Sequence, residues 1–218
     1  MALLLFIDTS TSNCSVALVE NQRIVSAKIE LHTRSHAKLL PIFIQSIFKE
    51  TGLEPKQLDA IVVAVGPGSY TGLRIGMSTA KGMCYALDLP LIALDSLENL
   101  ASTMLNKQGD KEAIYLATLD SRKGEIYYAA MDGKGQVICP SRPAKIAELD
   151  WSKWAKHAVY ISGNTSDKIS AANLQLELRS IQTQYQAENY VSEGFKCFNE
   201  KNFDDLVYTE PKYLKPFQ

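Results

Sequence analysis

Ile61-Val62-Val63-Ala64-Val65-Gly66-Pro67-Gly68-Ser69-Tyr70-Thr71-Gly72-Leu73-Arg74-Ile75-Gly76 passes from a β-branched apolar run, through a glycine-rich turn, into Met77–Leu87, a segment rich in helix formers. A short apolar run bounded by turn residues reads as a buried strand. The whole is therefore a strand–turn–helix joint, the local unit of an α/β protein. Such joints can hold phosphate against a helix N-terminus. This one departs from the known phosphate patterns. No Lys-Ser or Lys-Thr pair follows the glycines, and Gly66, Gly68, Gly72 and Gly76 do not space as G-x-G-x-x-G. Two readings stay open: phosphate contact along the Gly68–Thr71 backbone, or a packing joint in which glycine supplies positive φ and small size. Gly72, Gly76, Ala80 and Cys84 recur every fourth residue, a narrow row that lets another helix approach closely.

Upstream, Leu3–Ile7 reads as a buried strand ending at Asp8, followed by the polar turn Thr9-Ser10-Thr11-Ser12-Asn13. Ser15–Glu20 and Ile24–Ile29, joined by Asn21-Gln22, complete an antiparallel meander. Ser35 is a candidate N-cap for a helix in which Leu39, Phe43 and Ile47 form one apolar row and Leu40, Ile44 and Phe48 the next; Gly52 stops it. Pro41 falls in its first turn or kinks it. Downstream, Leu91–Leu94 is a further strand, and Asp95 or Ser96 caps a helix towards Asn106.

After the polar stretch Lys107–Lys111 the opening pattern returns. Ala113–Leu119 ends at Asp120, a turn leads to Glu125–Met131, and Asp132-Gly133-Lys134-Gly135 turns into Gln136–Cys139. Beyond it we expect a helix over Pro143–Ala155, a strand over Val159–Ser162, a helix over Ala187–Asn199, and an extended docking tail at Glu210–Leu214. A duplicated βββαβα unit is the pattern of the α/β actin-like, ribonuclease H-like fold. The lobes are expected at 1–106 and 107–218, the tail of the second docking back on the first, with Asp8 and Asp120 pointing into a cleft.

The 218 residues are 46% hydrophobic and 22% charged, with net charge −1. Such a chain has no basic field with which to grip nucleic acid unaided. Cys14, Cys84, Cys139 and Cys197 lie far apart without a C-x-x-C, as in a reduced cytoplasmic protein. The apolar start stops at Asp8, too short for a signal core, and no run approaches the ~18 residues of a membrane span.

Asp8 and Asp120 are candidates to hold Mg²⁺ with nucleotide phosphates, joined by Thr9, Ser10, Gly68, Ser69 and Arg122 as weak nucleotide contacts. The competing reading is that each aspartate caps its own turn. Asp8 is followed by Thr9-Ser10-Thr11, without a glycine, and Arg122 and Lys123 stand ready to pair with Asp120. His32 and His36 have the i, i+4 spacing of a zinc pair but no third ligand or H-E-x-x-H pattern, so capping and surface roles are expected. There is no G-x-S-x-G elbow. Arg122, Glu125 and Tyr127 read as an ion-paired hairpin edge.

Four stretches together carry a family resemblance: Ile7–Thr11, His36–Pro41, Gly66–Gly76 with Lys81-Gly82, and Asp120–Tyr127, with Pro211-Lys212-Tyr213-Leu214 fitting as well. On these the chain resembles the TsaB (YeaZ) family, bacterial tRNA threonylcarbamoyladenosine biosynthesis proteins. The resemblance implies an actin-like fold and a supporting role beside TsaD, of which these proteins look like an inactive paralogue. TsaD transfers the threonylcarbamoyl group to adenosine 37 of tRNAs reading ANN codons. TsaE, an ATPase, joins the pair, and TsaC makes the threonylcarbamoyl-adenylate. TsaD carries a His-x-x-x-His metal pair after a Pro-Leu-Ile strand; here Pro90-Leu91-Ile92 is followed by Ser96 and Leu100 at those places. Leu has no donor atom, so no metal site is expected, no catalytic residue, and no cofactor of its own, with ATP or ADP belonging to the assembled complex.

The expected partner and homodimer face is His36, Leu39, Leu40, Phe43, Ile44, Ile47, Gly72, Ile75, Gly76, Thr79, Ala80 and Met83. A large residue at Gly76 or Ala80 is then expected to block assembly of a folded monomer. The competing functions are a stand-alone ATPase or kinase of this fold and a glycoprotease-like metallopeptidase.

Overall fold

The computed structural model describes residues 1–121, 124–150, 152–165, 169 and 176–215. The chain divides into two compact units. The first is Met1–Ser96 with Tyr185–Tyr213; the second is Leu97–Gln184, joined by the chain from Leu214. The division differs from a break after residue 106, because the helix beginning at Ser96 goes with the second unit and a C-terminal stretch returns to the first.

The first unit holds β1 (Leu3–Asp8), β2 (Cys14–Glu20), β3 (Arg23–Glu30), α1 (His36–Thr51), β4 (Ala60–Gly66), α2 (Tyr70–Leu87) and β5 (Leu91–Asp95). Its sheet runs β3-β2-β1-β4-β5. β1 pairs antiparallel with β2 and parallel with β4. Every residue of β1 is buried because both faces are covered. Leu3, Leu5 and Ile7 enter the core beneath α1 and α2. Leu4 and Phe6 enter the opposite core, built with Tyr190, Phe195 and Cys197. A strand buried on two faces reads as a continuous apolar run rather than an alternating one.

The second unit holds α3 (Ser96–Gln108, from Leu97 onward), β6 (Ile114–Asp120), β7 (Glu125–Asp132), β8 (Val137–Lys145), β9 (Ala158–Gly163) and β10 (Glu177–Ser180). Its order is β10-β9-β6-β7-β8. With β6 in the place of β1, this repeats the first sheet strand for strand: two antiparallel neighbours on one side, two parallel ones on the other. The duplicated actin-like architecture is thus present in both sheets.

Two local features differ from expectation. The helix expected over 143–155 is replaced by β8, which continues to Lys145, and by short 3-10 turns at Ile146–Glu148 and Ser152–Trp154; Trp151 lies outside the described residues. Pairing with β7 captures the segment, and Pro140 and Pro143 are tolerated because β8 is an edge strand. β10 was not expected, being short, largely polar and exposed. α2 begins at Tyr70, so Gly72, Gly76, Ala80 and Cys84 lie on the helix, as their four-residue spacing implies. The C-terminal helix, α4 (Val191–Glu200), is preceded by a 3-10 turn at Ala187–Tyr190.

Candidate functional site

The glycine joint is filled by its own chain. Gly66 ends β4 at φ 110° and Gly66–Pro67 is a cis peptide. Ser69 N donates to Ser10 O at 2.6 Å. The Ser69 hydroxyl accepts from Gly72 N at 3.2 Å, capping α2. A Cβ at Gly68 would overlap the Ser10 carbonyl, one at Gly72 the Thr9 carbonyl, and one at Gly76 the Thr9 hydroxyl. Thr9 Oγ1 donates to Gly72 O at 2.8 Å. The small-residue row therefore seats α2 on the β1–β2 turn. Gly72, Gly76 and Ala80 are buried inside their own unit.

Asp8 is closed off in the same way. Its Oδ1 accepts from Ser10 N at 2.8 Å and its Oδ2 from the Tyr190 phenol at 3.3 Å. Burial pushes the Asp8 carboxyl up, and the Ser10 and Tyr190 hydrogen bonds offset part of that rise. Burial, with Asp8 next to it, holds the Tyr190 phenol well above its usual value, so it stays a donor. Asp8, Thr9 and Ser10 are all buried, and here the turn-capping reading of Asp8 holds. Asp120, in the second unit, is exposed, and its N–H donates to Asn164 Oδ1 at 2.6 Å. Arg122 lies outside the described residues, as does Lys123. Glu125 pairs with Lys215, which also lies over the Tyr127 ring.

The histidines do not form a pair on a helix face. His32 is exposed at φ 55°, outside α1; His36 is the first residue of α1, buried, with Nε2 donating to Asn13 O at 3.2 Å. Ser35 precedes α1 as expected, but its hydroxyl makes no cap, and Pro41 sits beyond the first turn. Ser96 and Leu100 are both buried in or beside α3. Among the described residues, no three His, Cys, Asp or Glu side chains come together as a metal site.

Two surface features of the first unit remain open. The first is a groove of about 610 Å³ at the N-terminal ends of α1 and α2, lined by Thr11, Ser12, Arg34, Lys38, Ser69 and Thr71 among others. The second is the outer side of those helices. Leu39, Phe43, Ile75 and Met83 pack on the core from outside while staying partly exposed; Thr79 is also partly exposed, and Ile42, absent from the expected face, is 48% exposed. Leu40, Ile44 and Ile47 of the expected face are buried in the core, where they hold α1 to the sheet.

The C-terminal stretch docks on the first unit, as expected of the tail, and its contacts there are specific. Asp204 pairs with Leu91, closing the β5 edge, and Ala93 N donates to Asp204 Oδ2 at 2.7 Å. Lys81 Nζ donates to the carbonyls of Val207 and Thr209 at 3.0 and 3.1 Å. Lys212 N donates to Val65 O at 2.7 Å, and its ammonium meets Asp95 at 2.8 Å. The Tyr213 ring packs tilted against Tyr70, centroids 4.7 Å apart, and its hydroxyl accepts from Arg74. The run Pro211-Lys212-Tyr213 signalled docking; nothing in the sequence tied Tyr190 to Asp8.

Among the described residues no helix is long and apolar enough to cross a membrane. Residues 23–215 match the family model TsaD, tRNA N6-adenosine threonylcarbamoyltransferase. The TsaB tRNA threonylcarbamoyladenosine biosynthesis protein of Bacillus subtilis is 32% identical over 70% of this chain and 66% of its own length. The Escherichia coli TsaB is 37% identical over 58% of this chain and 53% of its own length. The chain thus spans between about half and two thirds of these curated relatives. The solved structure of YeaZ from Pseudomonas aeruginosa superposes with a TM-score of 0.82 at 25% identity, covering 98% of this chain and all of that one. The chain belongs to the TsaD family and, within it, is similar to the TsaB (YeaZ) proteins.

Proposed function

We propose that this chain is a non-catalytic subunit supporting formation of the threonylcarbamoyl group on N6 of adenosine 37 in tRNAs that read ANN codons. It binds and activates TsaD, together with TsaE, downstream of TsaC, and reaches tRNA through the complex. ATP or ADP acts in that complex, and the setting is cytoplasmic. The observation that supports a partner role is the contrast within one unit. The Asp8 carboxylate, which would hold a metal–nucleotide in an active lobe, is buried under Tyr190. The outer side of α1 and α2, by contrast, keeps Leu39, Phe43, Ile75 and Met83 partly open. Apolar surface held at the rim of a core gains by being covered, at about 25 cal/mol per Å². The same face serves a homodimer when TsaD is absent.

The test is binding of purified TsaD by this chain and by its Ile75→Arg variant. Tight binding by the parent and loss in the variant supports the reading. Equal binding by both removes α1–α2 as the face.

A further inference from the structure

The sheet edges are not treated alike. In the first unit, β5 is closed by Asp204. In the second, β8 carries Pro140 and Pro143, and β10 is four residues long. Short strands, prolines, covering segments, charged side chains and β-bulges are the usual means of blunting an edge; of these β3 has the charges of Arg23, Lys28 and Glu30 and one bulge, but no proline, no shortening and, among the described residues, no covering segment. β3 is eight residues long, has no proline, and, among the described residues, makes no backbone hydrogen bond on its outer side. Ile24 and Ile29 on it are 52% and 36% exposed.

Its facing follows from the register with β2. Ile29, Ala27 and Ile24 stand opposite Ser15, Ala17 and Val19, while Glu30, Lys28, Ser26 and Arg23 stand opposite Cys14, Val16, Leu18 and Glu20. The register shifts between Leu18 and Val19, so Val25 is an extra residue, a β-bulge. The bulge brings Ile24 to the same face as Ala27 and Ile29, and Arg23 to the same face as Glu30. Two antiparallel copies of this strand, related by a two-fold axis through Ala27, then match. Ser26 falls opposite Lys28 and, with Val25 skipped in both, Ile24 opposite Ile29 and Arg23 opposite Glu30. One face of the joint is apolar throughout, and the other ends in two opposite-charge pairs. Neither Arg23 nor Glu30 is in an ion pair among the described residues.

We infer that β3 is a docking edge for β3 of a second copy of this chain, joining two five-stranded sheets into one across a two-fold axis at Ala27. A self-complementary edge gives a closed, isologous dimer instead of an open fibre. This interface is separate from the α1–α2 face and stands without it.

The test uses the Ile75→Arg chain as background, so that association through α1–α2 is absent, and reads molecular mass by sedimentation over a concentration series. A dimer is expected. Arg23→Glu should weaken it roughly tenfold, since both symmetry-related pairs become like-charged, and Arg23→Glu with Glu30→Arg should restore it. Ala27→Cys should cross-link the dimer under mild oxidation, because residues directly opposite on paired strands lie within disulfide reach. A monomer at every concentration, a dimer indifferent to Arg23→Glu, failure of the double variant to restore association, or no cross-link at position 27 would each overturn the inference.

Discussion

The Tyr190 phenol donates to Asp8 Oδ2 at 3.3 Å across 182 positions of sequence. The aspartate at the end of β1 is thereby a buried structural acceptor; in its neutral amide analogue the oxygen keeps the Ser10 N–H bond and the NH2 donates to the phenol oxygen, turned to accept, with no charge buried. Asp8→Asn is predicted to raise Tm near neutral pH. The sign follows from linkage: Asp8 is raised in the folded state, so its protonated form is favoured there. Its contribution is intact below the ordinary carboxylate range of about 4 and is lost as pH rises through the raised value. The advantage of Asp8→Asn should therefore be absent in acid and grow with pH. Glu188 is also pushed up by burial, so the difference between variant and parent, not the parent's own curve, is the quantity to follow in thermal melts.

Gly76→Ala sets two effects against each other. Ala is worth about 1 kcal/mol over Gly in a helix interior. Against that, the new methyl meets the Thr9 hydroxyl, which is already committed to Gly72 O. Overpacking a close joint costs about 1–3 kcal/mol, so the net effect is predicted to be destabilising. Urea unfolding of the purified variant measures it. This reverses the sequence-based expectation that enlarging Gly76 would leave the monomer intact, and Ala80, fully buried, follows the same logic.

Ile75→Arg and Met83→Arg should lose TsaD binding while costing no more than about 1 kcal/mol of stability, because both positions are already partly exposed. Binding by calorimetry and stability by urea titration separate the two effects. Leu40→Arg, by contrast, is expected to unfold the unit, since Leu40 is fully buried.

Tyr213→Ala removes a ring pair with Tyr70 and the acceptor of the Arg74 hydrogen bond. A paired ring is worth about 0.5–1.5 kcal/mol beyond its buried area, and a loss of that order is predicted. Faster hydrogen exchange at the amides of Lys212, Asp204 and Ala93 would place the loss at the docked segment, since these N–H groups donate to Val65 O, Leu91 O and Asp204 Oδ2.

The fold was largely legible because its signals are local and repeated. Each lobe opens with an apolar strand ending in Asp8 or Asp120, and the hairpin turns mark the meanders. What failed was decided by distant partners. The glycine row carries the same sequence signature whether it seats a partner's helix or the chain's own Thr9, and the choice depends on a turn more than 60 positions away. Buried Ile47 shares a row with the more open Leu39 and Phe43, with Leu40 and Ile44 in the adjoining row, and periodicity cannot say which side of a broad stripe faces inward. The segment from Pro143 reads as a helix start by composition, yet the ladder with β7 holds it extended to Lys145. Asp8 looked like a ligand for phosphate-bound metal or a turn cap; the Tyr190 phenol that decides between them comes from the far end of the chain.

The most direct test of the partner-subunit account is threonylcarbamoylation of tRNA in vitro by TsaC, TsaD and TsaE, with and without this chain. The account predicts modification only when the chain is present, undiminished with Asp8→Asn and lost with Ile75→Arg. Equal modification without the chain, or modification by the chain in the absence of TsaD, would contradict it.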